Sequence, residues 1–361
     1  MEDDKYWSED YYYYQFSYFT SPASILHEAN LLNDYPSALL NFAVFCCVLF
    51  ITIGVPGNLL TICALTKAKK LHNATTAFII NLSIADLLFC GFNLPLIVST
   101  FLHRGWVHGE LLCQLSPFFR YSNVAVSLFT VLAITINRYV MIAHQQLYPR
   151  FYQFRSLTAM IAAIWIFSFG TLVPTLLGVW GRFGFDPKVG TCSILPVNNQ
   201  SPKAFLFIVA FGLPCVVITI CYLRIFWIVK RTQKAARKLQ RLRTRITPGH
   251  SGTLQIDAHN EKREARDLRL IKMILVIFFS FVACYLPVTL VKVFGKEETL
   301  PVTNICGYIL IFMSACINPI IYVLMSTEYR KAYRNLFMCQ SYREQTRLAQ
   351  PPSSGSHTSK L

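Results

Sequence analysis

Seven long apolar stretches constrain this chain more than any other feature of its sequence. A helix needs about 20 residues to cross the roughly 30 Å hydrocarbon core of a bilayer, and each stretch is long enough to do so. We therefore predict an all-α membrane protein with seven transmembrane helices. The stretches cover residues 39–66, 75–102, 111–142, 157–180, 204–229, 270–294 and 302–325.

The composition excludes other classes of protein. Hydrophobic residues make up 54% of the chain and charged residues 14%, whereas a soluble chain carries about 25% charged residues. These values exclude a disordered chain and argue against a soluble enzyme. Residues with a function are then expected among the polar residues inside the membrane-spanning stretches, where contact with lipid is energetically costly.

Lys and Arg set the predicted orientation. They number 34 against 18 acidic residues, and they concentrate in the first linker, in residues 230–269 and after residue 325. Because cytoplasmic loops carry the excess of basic residues, the N-terminus is predicted outside and the C-terminus in the cytoplasm of a plasma-membrane protein. This topology accounts for the net charge of +16, so no nucleic-acid partner is predicted. No basic segment followed by an apolar one opens the chain, and we expect no cleavable signal peptide.

The same pattern divides the chain into parts. Apolar residues between Tyr329 and Phe337 recur at helical spacing, which predicts a short amphipathic helix on the inner leaflet of the bilayer. The predicted parts are an acidic, Tyr-rich extracellular tail at 1–38, a seven-transmembrane domain at 39–326 with a basic third cytoplasmic loop at 230–269, the amphipathic helix at 327–339 and a cytoplasmic tail at 340–361.

Topology also sorts the twelve cysteines. Cys113, at the outer start of the third helix, and Cys192, in the loop before the fifth, are both extracellular. We predict a disulfide between them, since the outside is oxidising and the other ten lie in helices or the cytoplasmic tail. The bond would tie the loop 181–202 over the mouth of the bundle.

The third helix carries the most informative polar stripe. Arg120 and Arg138 are eighteen residues apart, which is five helical turns and ~27 Å, so one arginine lies near each end of the membrane. Asn123 and Ser127 lie near the same face and must contact protein or water. The alternative is that both arginine side chains extend out of the bilayer, each to the water at its own membrane surface.

Asp86 is the one acidic residue deep within an apolar stretch. A lone carboxylate at this depth costs several kcal/mol unless it is paired, protonated or bound to a metal. An oxygen-rich pocket around it would suit a small hard cation. We therefore predict an allosteric sodium site and no other metal or cofactor. Its predicted members, with Asn58 at a comparable depth, are Asp86, Asn123, Ser127, Ser314 and Asn318.

A series of short motifs recurs along the chain, one set per helix. The motifs are Gly57-Asn58, Leu82-Ser-Ile-Ala-Asp86, Trp106-Val-His-Gly109, Cys113, Asn137-Arg138-Tyr139, Trp165, Pro174, Cys192, Pro214 with Tyr222, Phe281 with Pro287, and Asn318-Pro-Ile-Ile-Tyr322. With these motifs the chain resembles the rhodopsin-like G-protein-coupled receptors over roughly 39–340. The residues 137–144 also resemble the insect moody and trapped-in-endoderm group, with melatonin receptors more distant.

The resemblance implies a non-enzymatic receptor that transmits the binding of an extracellular ligand to a heterotrimeric G protein, with arrestin as a further partner. Two positions depart from the family pattern: Asn137 stands where an acid precedes the arginine, and Tyr285 stands where the sixth helix carries Trp. We expect Asp267 to restrain Arg138 instead. The residues implied in activation are Asn137, Arg138, Tyr139, Tyr222, Asp267, Phe281, Pro287 and Tyr322, with Pro214 and Tyr285 transmitting movement.

The same positions exclude two kinds of ligand. Phe312 replaces the lysine of light receptors, and Arg120 replaces the aspartate of amine receptors. Arg120 and Lys292 favour an anionic or amphipathic ligand; alternatively, they pair with Glu110, Glu297 or Glu298 at the rim. The predicted ligand-binding residues are Arg120, Lys292, Tyr285, Tyr308, Phe207 and Phe312.

The termini carry weaker signals. Tyrosines 11–14 beside acids suit sulfation, or belong to a disordered tail. Asn199 lies in an exposed glycosylation sequon, and Cys339 is a candidate for palmitoylation beside the bilayer. The last three residues fit a PDZ-domain ligand, a peroxisomal address or chance.

Two other functions fit the sequence less well. A transporter or channel would show related repeats, usually even in number, and seven unequal helices argue against it. An intramembrane hydrolase would need a Ser/His or paired-Asp arrangement, which the apolar stretches lack.

Overall fold

The computed structural model describes residues 35–68, 73–186, 191–198, 200–246, 252–294 and 301–337. Within these ranges the side chains of residues 236–267, 292, 301 and 304 are not described. Seven helices in this part of the chain are long and apolar enough to cross a membrane, which is the number predicted.

The helices follow the predicted order and end within a few residues of the predicted bounds on most sides. The elements are α1 Ser37–Lys67; α2, which joins Ala74–Leu88, the π-helical turn Phe89–Asn93 and Leu94–Leu102; α3 Gly109–Ala143; a one-turn helix Tyr148–Phe151; α4, which joins Phe154–Gly170 and Val173–Leu176; strands β1 Arg182–Asp186 and β2 Thr191–Leu195; α5, which joins Lys203–Phe207, the π-helical turn Ile208–Gly212 and Leu213–Ile246; α6 Gly252–Val293; α7 Pro301–Met325; and α8 Thr327–Phe337.

The largest difference from the prediction lies in residues 230–269. We predicted a loop there, but α5 continues to Ile246 and α6 begins at Gly252. The segment is rich in Lys, Arg, Gln, Leu and Ala, all of which favour helix, so both helices extend beyond the apolar residues that defined them.

The bundle is built around α3, which packs against α2, α4, α5 and α6, while α1 packs against α2 and α7. Two glycines let α1 approach its neighbours closely. A Cβ atom at Gly54 would lie 2.5 Å from Cys90 Sγ on α2, and one at Gly57 would lie 3.2 Å from Pro319 on α7. The small residues at these positions therefore bring α1, α2 and α7 together.

Each π-helical turn ends two residues before a proline, Pro95 in α2 and Pro214 in α5. Proline has no N–H, and its ring crowds the carbonyl four residues earlier, so a regular helix is disturbed there. In α2 the N–H of Leu94 bonds to Phe89 O, which widens the helix by one residue just before Pro95. The turn rotates the outer part of α2, and π turns of this kind often occur at functional sites.

A β-hairpin covers the outer end of the bundle, although no strands were predicted. Its strands are antiparallel with Phe185 opposite Cys192. The predicted disulfide between Cys113 and Cys192 is confirmed. Asp186 on β1 pairs with Lys203 at the start of α5, at 3.3 Å. The hairpin is thus tied to α3 and to α5.

The predicted amphipathic helix is present as α8. Arg330 donates hydrogen bonds to the carbonyls of Val323 and Leu324, which cap the end of α7. The hydroxyls of Tyr333 and Thr61 lie 2.7 Å apart and join α8 to α1. Burial raises the pKa of Tyr333, and the bond to Thr61 partly offsets that rise. The N-terminal tail, Asn199, Cys339 and the C-terminal tail lie outside the described residues.

Replacing Cys192 by Ser should lower the free energy of unfolding by about 2–5 kcal/mol, because the bond closes a loop of 79 residues in the unfolded chain. Thermal unfolding of purified protein would measure this loss. The exposed free thiol Cys306 offers a control: Cys306→Ser should leave the transition unchanged. Equal transitions for both variants, or recovery of Cys113 and Cys192 as free thiols by peptide mapping, would contradict the assignment.

Candidate functional site

Asp86 lies at the centre of the polar groups inside the bundle. Its side chain is buried, and its two oxygens accept hydrogen bonds from two other helices. Ser127 Oγ on α3 donates to Oδ1 at 3.1 Å, and Asn318 Nδ2 on α7 donates to Oδ2 at 2.7 Å. Three of the five residues predicted for a cation site are therefore in direct contact.

A small cavity adjoins this carboxylate. Its volume is about 10 Å³, close to the least that holds one water-sized particle. Asn123 and Ser314 line it, as predicted. The Oδ1 atoms of Asn123 and Asn318 have no hydrogen-bond partner among the described residues. Buried oxygens without donors around one carboxylate suit a small cation that prefers oxygen ligands.

Asn58, named at a similar depth, does not join this cavity. Its Nδ2 donates to the carbonyls of Gly54 and Ala315, at 3.0 and 2.9 Å. The amide therefore links α1 to α7 and has a structural role.

Tyr285 separates the Asp86 cavity from a second one. Its hydroxyl lies 3.1 Å from Ser314 Oγ, and its ring lies 5.6 Å from that of Phe281 and 6.2 Å from that of Phe211. It lines both cavities. A tryptophan has a ring N–H but no hydroxyl to make this contact with Ser314.

The second cavity is apolar and has a volume of about 50 Å³. It lies between α3, α4 and α5, below Ile194 of the hairpin, and Phe207 lines it as predicted. Ser168 is a polar residue in its wall, and Ser168 Oγ has no hydrogen-bond partner in the described part of the chain. No charged side chain lines the cavity, so it suits an apolar group.

Arg120 is buried under the hairpin and does not extend to water. Its Nη2 donates to the carbonyl of Cys192 at 2.6 Å, and its guanidinium carbon lies 5.4 Å from the ring centre of Tyr121 and 5.9 Å from that of Tyr308. Its Nε has no hydrogen-bond partner among the described residues. The arginine therefore holds the hairpin, and its Nε–H stays available as a donor.

The predicted ligand-binding residues form two groups. Tyr308 stacks on Phe312 at 6.1 Å beside Arg120, whereas Phe207 and Tyr285 line the apolar cavity. Tyr121 joins the groups, since it contacts Arg120, packs 6.3 Å from Phe207 and also lines the cavity. Tyr121 therefore lies between Arg120 and the apolar cavity of α3, α4 and α5.

At the inner end of α3, Asn137 makes contacts that the sequence did not predict. Its Oδ1 accepts a hydrogen bond from Thr75 Oγ1 at 2.8 Å, and its Nδ2 donates to Tyr148 Oη at 3.4 Å. Burial raises the pKa of Tyr152 to about 12, while a hydrogen bond with Asn137 lowers it. Asn137 thus connects α3 to α2 and to the following loop through uncharged groups.

Arg138 is 6% exposed and lies near the C-terminal end of α3. Its Nη1 lies 3.6 Å from Met141 Sδ. Tyr322 on α7 is fully buried, with its ring 5.6 Å from that of Tyr329. Of the other predicted activation residues, Tyr139 packs on His144, and Pro287 lies inside α6.

Two predicted partners cannot be placed. The side chains of Asp267 and Lys292 lie outside the described atoms, although both residues belong to α6. Their proposed contacts with Arg138 and with a ligand stay predictions.

Sequence reasoning overlooked two buried amides in α2. Asn81 accepts from Trp165 Nε1 and donates to Thr130 Oγ1, both at 2.8 Å, so it joins α2, α3 and α4. Asn93 is fully buried in the π-helical turn, and neither end of its amide has a hydrogen-bond partner among the described residues. The sequence feature that could have identified Asn93 is an amide side chain within an apolar stretch, two residues before Pro95.

Comparisons with known proteins agree with this architecture. A family model described as 7 transmembrane receptor (rhodopsin family) matches residues 57–322. The G-protein coupled receptor moody of Drosophila melanogaster is 42% identical over 354 residues, which cover 86% of this chain and 53% of that protein. Protein trapped in endoderm-1 of the same organism is 37% identical, with coverages of 90% and 84%.

More distant proteins extend the comparison. Melatonin receptor type 1B-B of Danio rerio is 28% identical over 88% of both chains. The crystal structure of squid rhodopsin superposes with a TM-score of 0.72 at 23% identity, over 88% of this chain and 89% of that one, which shows a shared fold. The chain spans about half the length of the moody receptors that it matches.

Thr75→Val should lower the free energy of unfolding by about 1–3 kcal/mol, because it leaves the buried Asn137 Oδ1 without its donor. Thr219→Val is a matched control, since Thr219 is exposed and its hydroxyl bonds only to a carbonyl of its own helix. Thermal unfolding in detergent would compare the two. Equal effects of the two changes would show that the bond between Thr75 and Asn137 contributes nothing.

Proposed function

The chain belongs to the rhodopsin family of seven-transmembrane receptors, and we propose that it is a G-protein-coupled receptor. The family model covers most of the chain, which confirms the resemblance found in its motifs. In this function an extracellular ligand shifts an existing equilibrium between inactive and active conformations. The active conformation opens a cytoplasmic crevice for a heterotrimeric G protein.

The observation that carries this proposal is the buried arginine at the cytoplasmic end of α3. Arg138 is buried next to the neutral Asn137 and close enough to Tyr222 and Tyr329 for its charge to act on both, so that charge is held inside the protein in the described conformation. A buried charge is costly, and exposure of Arg138 would provide a cationic contact for a partner. Separation of α5 and α6 from α3, with α6 bending at Pro287, would expose it.

We place the ligand in the outer half of the bundle. The spare donor of Arg120 supports an anionic or strongly accepting head group, and the apolar cavity beyond Tyr121 supports an apolar body. An amphipathic ligand satisfies both. A transporter or channel is not favoured by the family to which the chain belongs.

Sodium is proposed as an allosteric ligand of the inactive conformation. The carboxylate of Asp86, the hydroxyl of Ser127 and the unpaired oxygens of Asn123 and Asn318 fit a hard cation in charge and chemistry. A cation that binds one conformation stabilises that conformation by mass action.

The cellular setting completes the proposal. Seven membrane-spanning helices fit a multi-pass protein, and the distribution of basic residues supports a plasma-membrane receptor with its N-terminus outside. Arrestin, and a PDZ-domain protein at the C-terminus, are proposed as further cytoplasmic partners.

Nucleotide exchange on a panel of purified G proteins tests the coupling. Arg138→Ala should abolish exchange at unchanged surface expression, because the variant lacks the cationic contact. Asp267→Ala should raise exchange without ligand, because Asn137 is neutral and cannot act as a charged restraint on Arg138. Normal exchange by Arg138→Ala would refute the coupling mechanism, and unchanged basal exchange in Asp267→Ala would show that another contact sets the resting conformation.

Sodium should raise the melting temperature relative to an equal concentration of choline. At ten times the dissociation constant the stabilisation would be about 1.4 kcal/mol, or roughly 2–6 °C. Asp86→Asn should remove the difference between the two salts. Ser83→Ala is the control, because Ser83 is equally buried in α2 but does not line the cavity. A sodium response that persists in Asp86→Asn would place the cation elsewhere.

A further inference from the structure

Asn93 is a fully buried amide without a visible partner. Its side chain is 0% exposed, and neither Oδ1 nor Nδ2 makes a hydrogen bond to a residue that the structure describes. Exchanging the two ends by rotating the amide would not help, since both are unpaired. Nearly all buried polar groups in native proteins are paired, so this amide requires a partner from outside the described chain.

A contact between α2 and α7 puts Asn93 and Tyr308 at the same level of the bundle. Phe89 of α2 lies 5.9 Å from Phe312 of α7. The two helices run in opposite directions, so one turn toward the outside leads from Phe89 to Asn93 and from Phe312 to Tyr308. The π-helical turn that contains Asn93 packs against α1, α3 and α7.

Arg120 approaches the same tyrosine from α3. Its guanidinium carbon lies 5.9 Å from the ring centre of Tyr308. Phe92 and Phe119, the residues just before Asn93 and Arg120, have their rings 5.5 Å apart. The outer half of the bundle therefore brings the unused Nε of Arg120 and the unpaired amide of Asn93 to one region.

We propose that Asn93 and Arg120 together bind a ligand head group that carries a hydrogen-bond donor beside an anionic acceptor. The two unpaired nitrogens donate, whereas Asn93 Oδ1 accepts, and the head group must complement all three. This inference rests on the proposed function as a receptor for an amphipathic anion. It adds Asn93 to the binding residues, and it adds a hydrogen-bond donor to the ligand head group.

The inventory of donors and acceptors selects among anionic amphiphiles. A plain carboxylate has only acceptors, so it would leave Oδ1 of Asn93 unpaired. An N-acyl amino acid has a carboxylate and an amide carbonyl for the two nitrogens, and an amide N–H for Oδ1. Its acyl chain would follow Tyr121, which contacts Arg120 and lines the apolar cavity.

Binding of three matched probes to the purified full-length receptor tests this selection. The probes are N-decanoylglycine, its methyl ester, and tridecanoate, which has the same chain length without the amide. The wild type should bind N-decanoylglycine about 5- to 150-fold more tightly than tridecanoate, because only the former pairs with Oδ1. The ester should bind more weakly than the acid, since it carries no charge for Arg120.

Variants separate this inference from the proposed function. Asn93→Leu should remove the preference for N-decanoylglycine over tridecanoate, while Ser122→Ala, a buried hydroxyl on α3 that lines neither cavity, should retain it. Arg120→Ala should weaken both acids.

Four results would overturn the inference. If the wild type binds both acids equally, ordered water pairs the Asn93 amide, and if it binds neither, this ligand class is wrong. If Asn93→Leu keeps the preference while Arg120→Ala weakens both acids, Asn93 has no role but the anionic ligand stands. If Arg120→Ala weakens neither acid, the anionic-ligand proposal falls as well.

Discussion

The carboxylate of Asp86 is the group on which the interior of the bundle depends, because lipid and apolar side chains cannot solvate it. Other parts of the chain must therefore supply its hydrogen bonds, and Ser127 on α3 and Asn318 on α7 donate them. Hydrogen bonds to a single group thus hold α2, α3 and α7 in one register. Asn81 performs a similar task for α2, α3 and α4 through Thr130 and Trp165. Apolar packing alone specifies register poorly in a membrane, where lipid is as apolar as the helices.

The departures at Asn137 and Tyr285 are consistent with this principle. Each puts a neutral hydrogen-bonding group where the family pattern has a different side chain, and each makes contacts to other elements. Asn137 joins α2 to the loop after α3, and Tyr285 joins α6 to Ser314 on α7. Hydrogen bonds between neutral groups are short-range. Their strength depends on distance and angle more steeply than the attraction between two charges does.

The sequence predicted what depends on composition and topology, and missed what depends on neighbours. Hydropathy located the seven spans, and the positive-inside rule separated two cysteines from ten, which led to the disulfide. The depth of Asp86 led to Ser127 and Asn318 because few polar groups share that depth. By contrast, the carbonyl that binds Arg120 belongs to a hairpin, which the hydropathy pattern does not predict. The contact of Asn137 with Thr75 joins residues 62 positions apart, and no local pattern indicates it. Asn93 is turned inward by a π-helical turn whose extra residue shifts the helical period.

The contacts of α1 have a consequence for how the protein is made. Asn58 bonds to a carbonyl 257 residues later in α7, and Thr61 pairs with a tyrosine 272 residues later in α8. At about 5–20 residues per second, a ribosome needs roughly 10 to 50 s to synthesise that stretch. During that interval the first span waits in the bilayer with a polar amide that has only part of its bonding complete. The bundle is therefore completed only when α7 and α8 have been synthesised. A chain that ended before them would leave the Asn58 amide and the Thr61 hydroxyl of α1 without these partners.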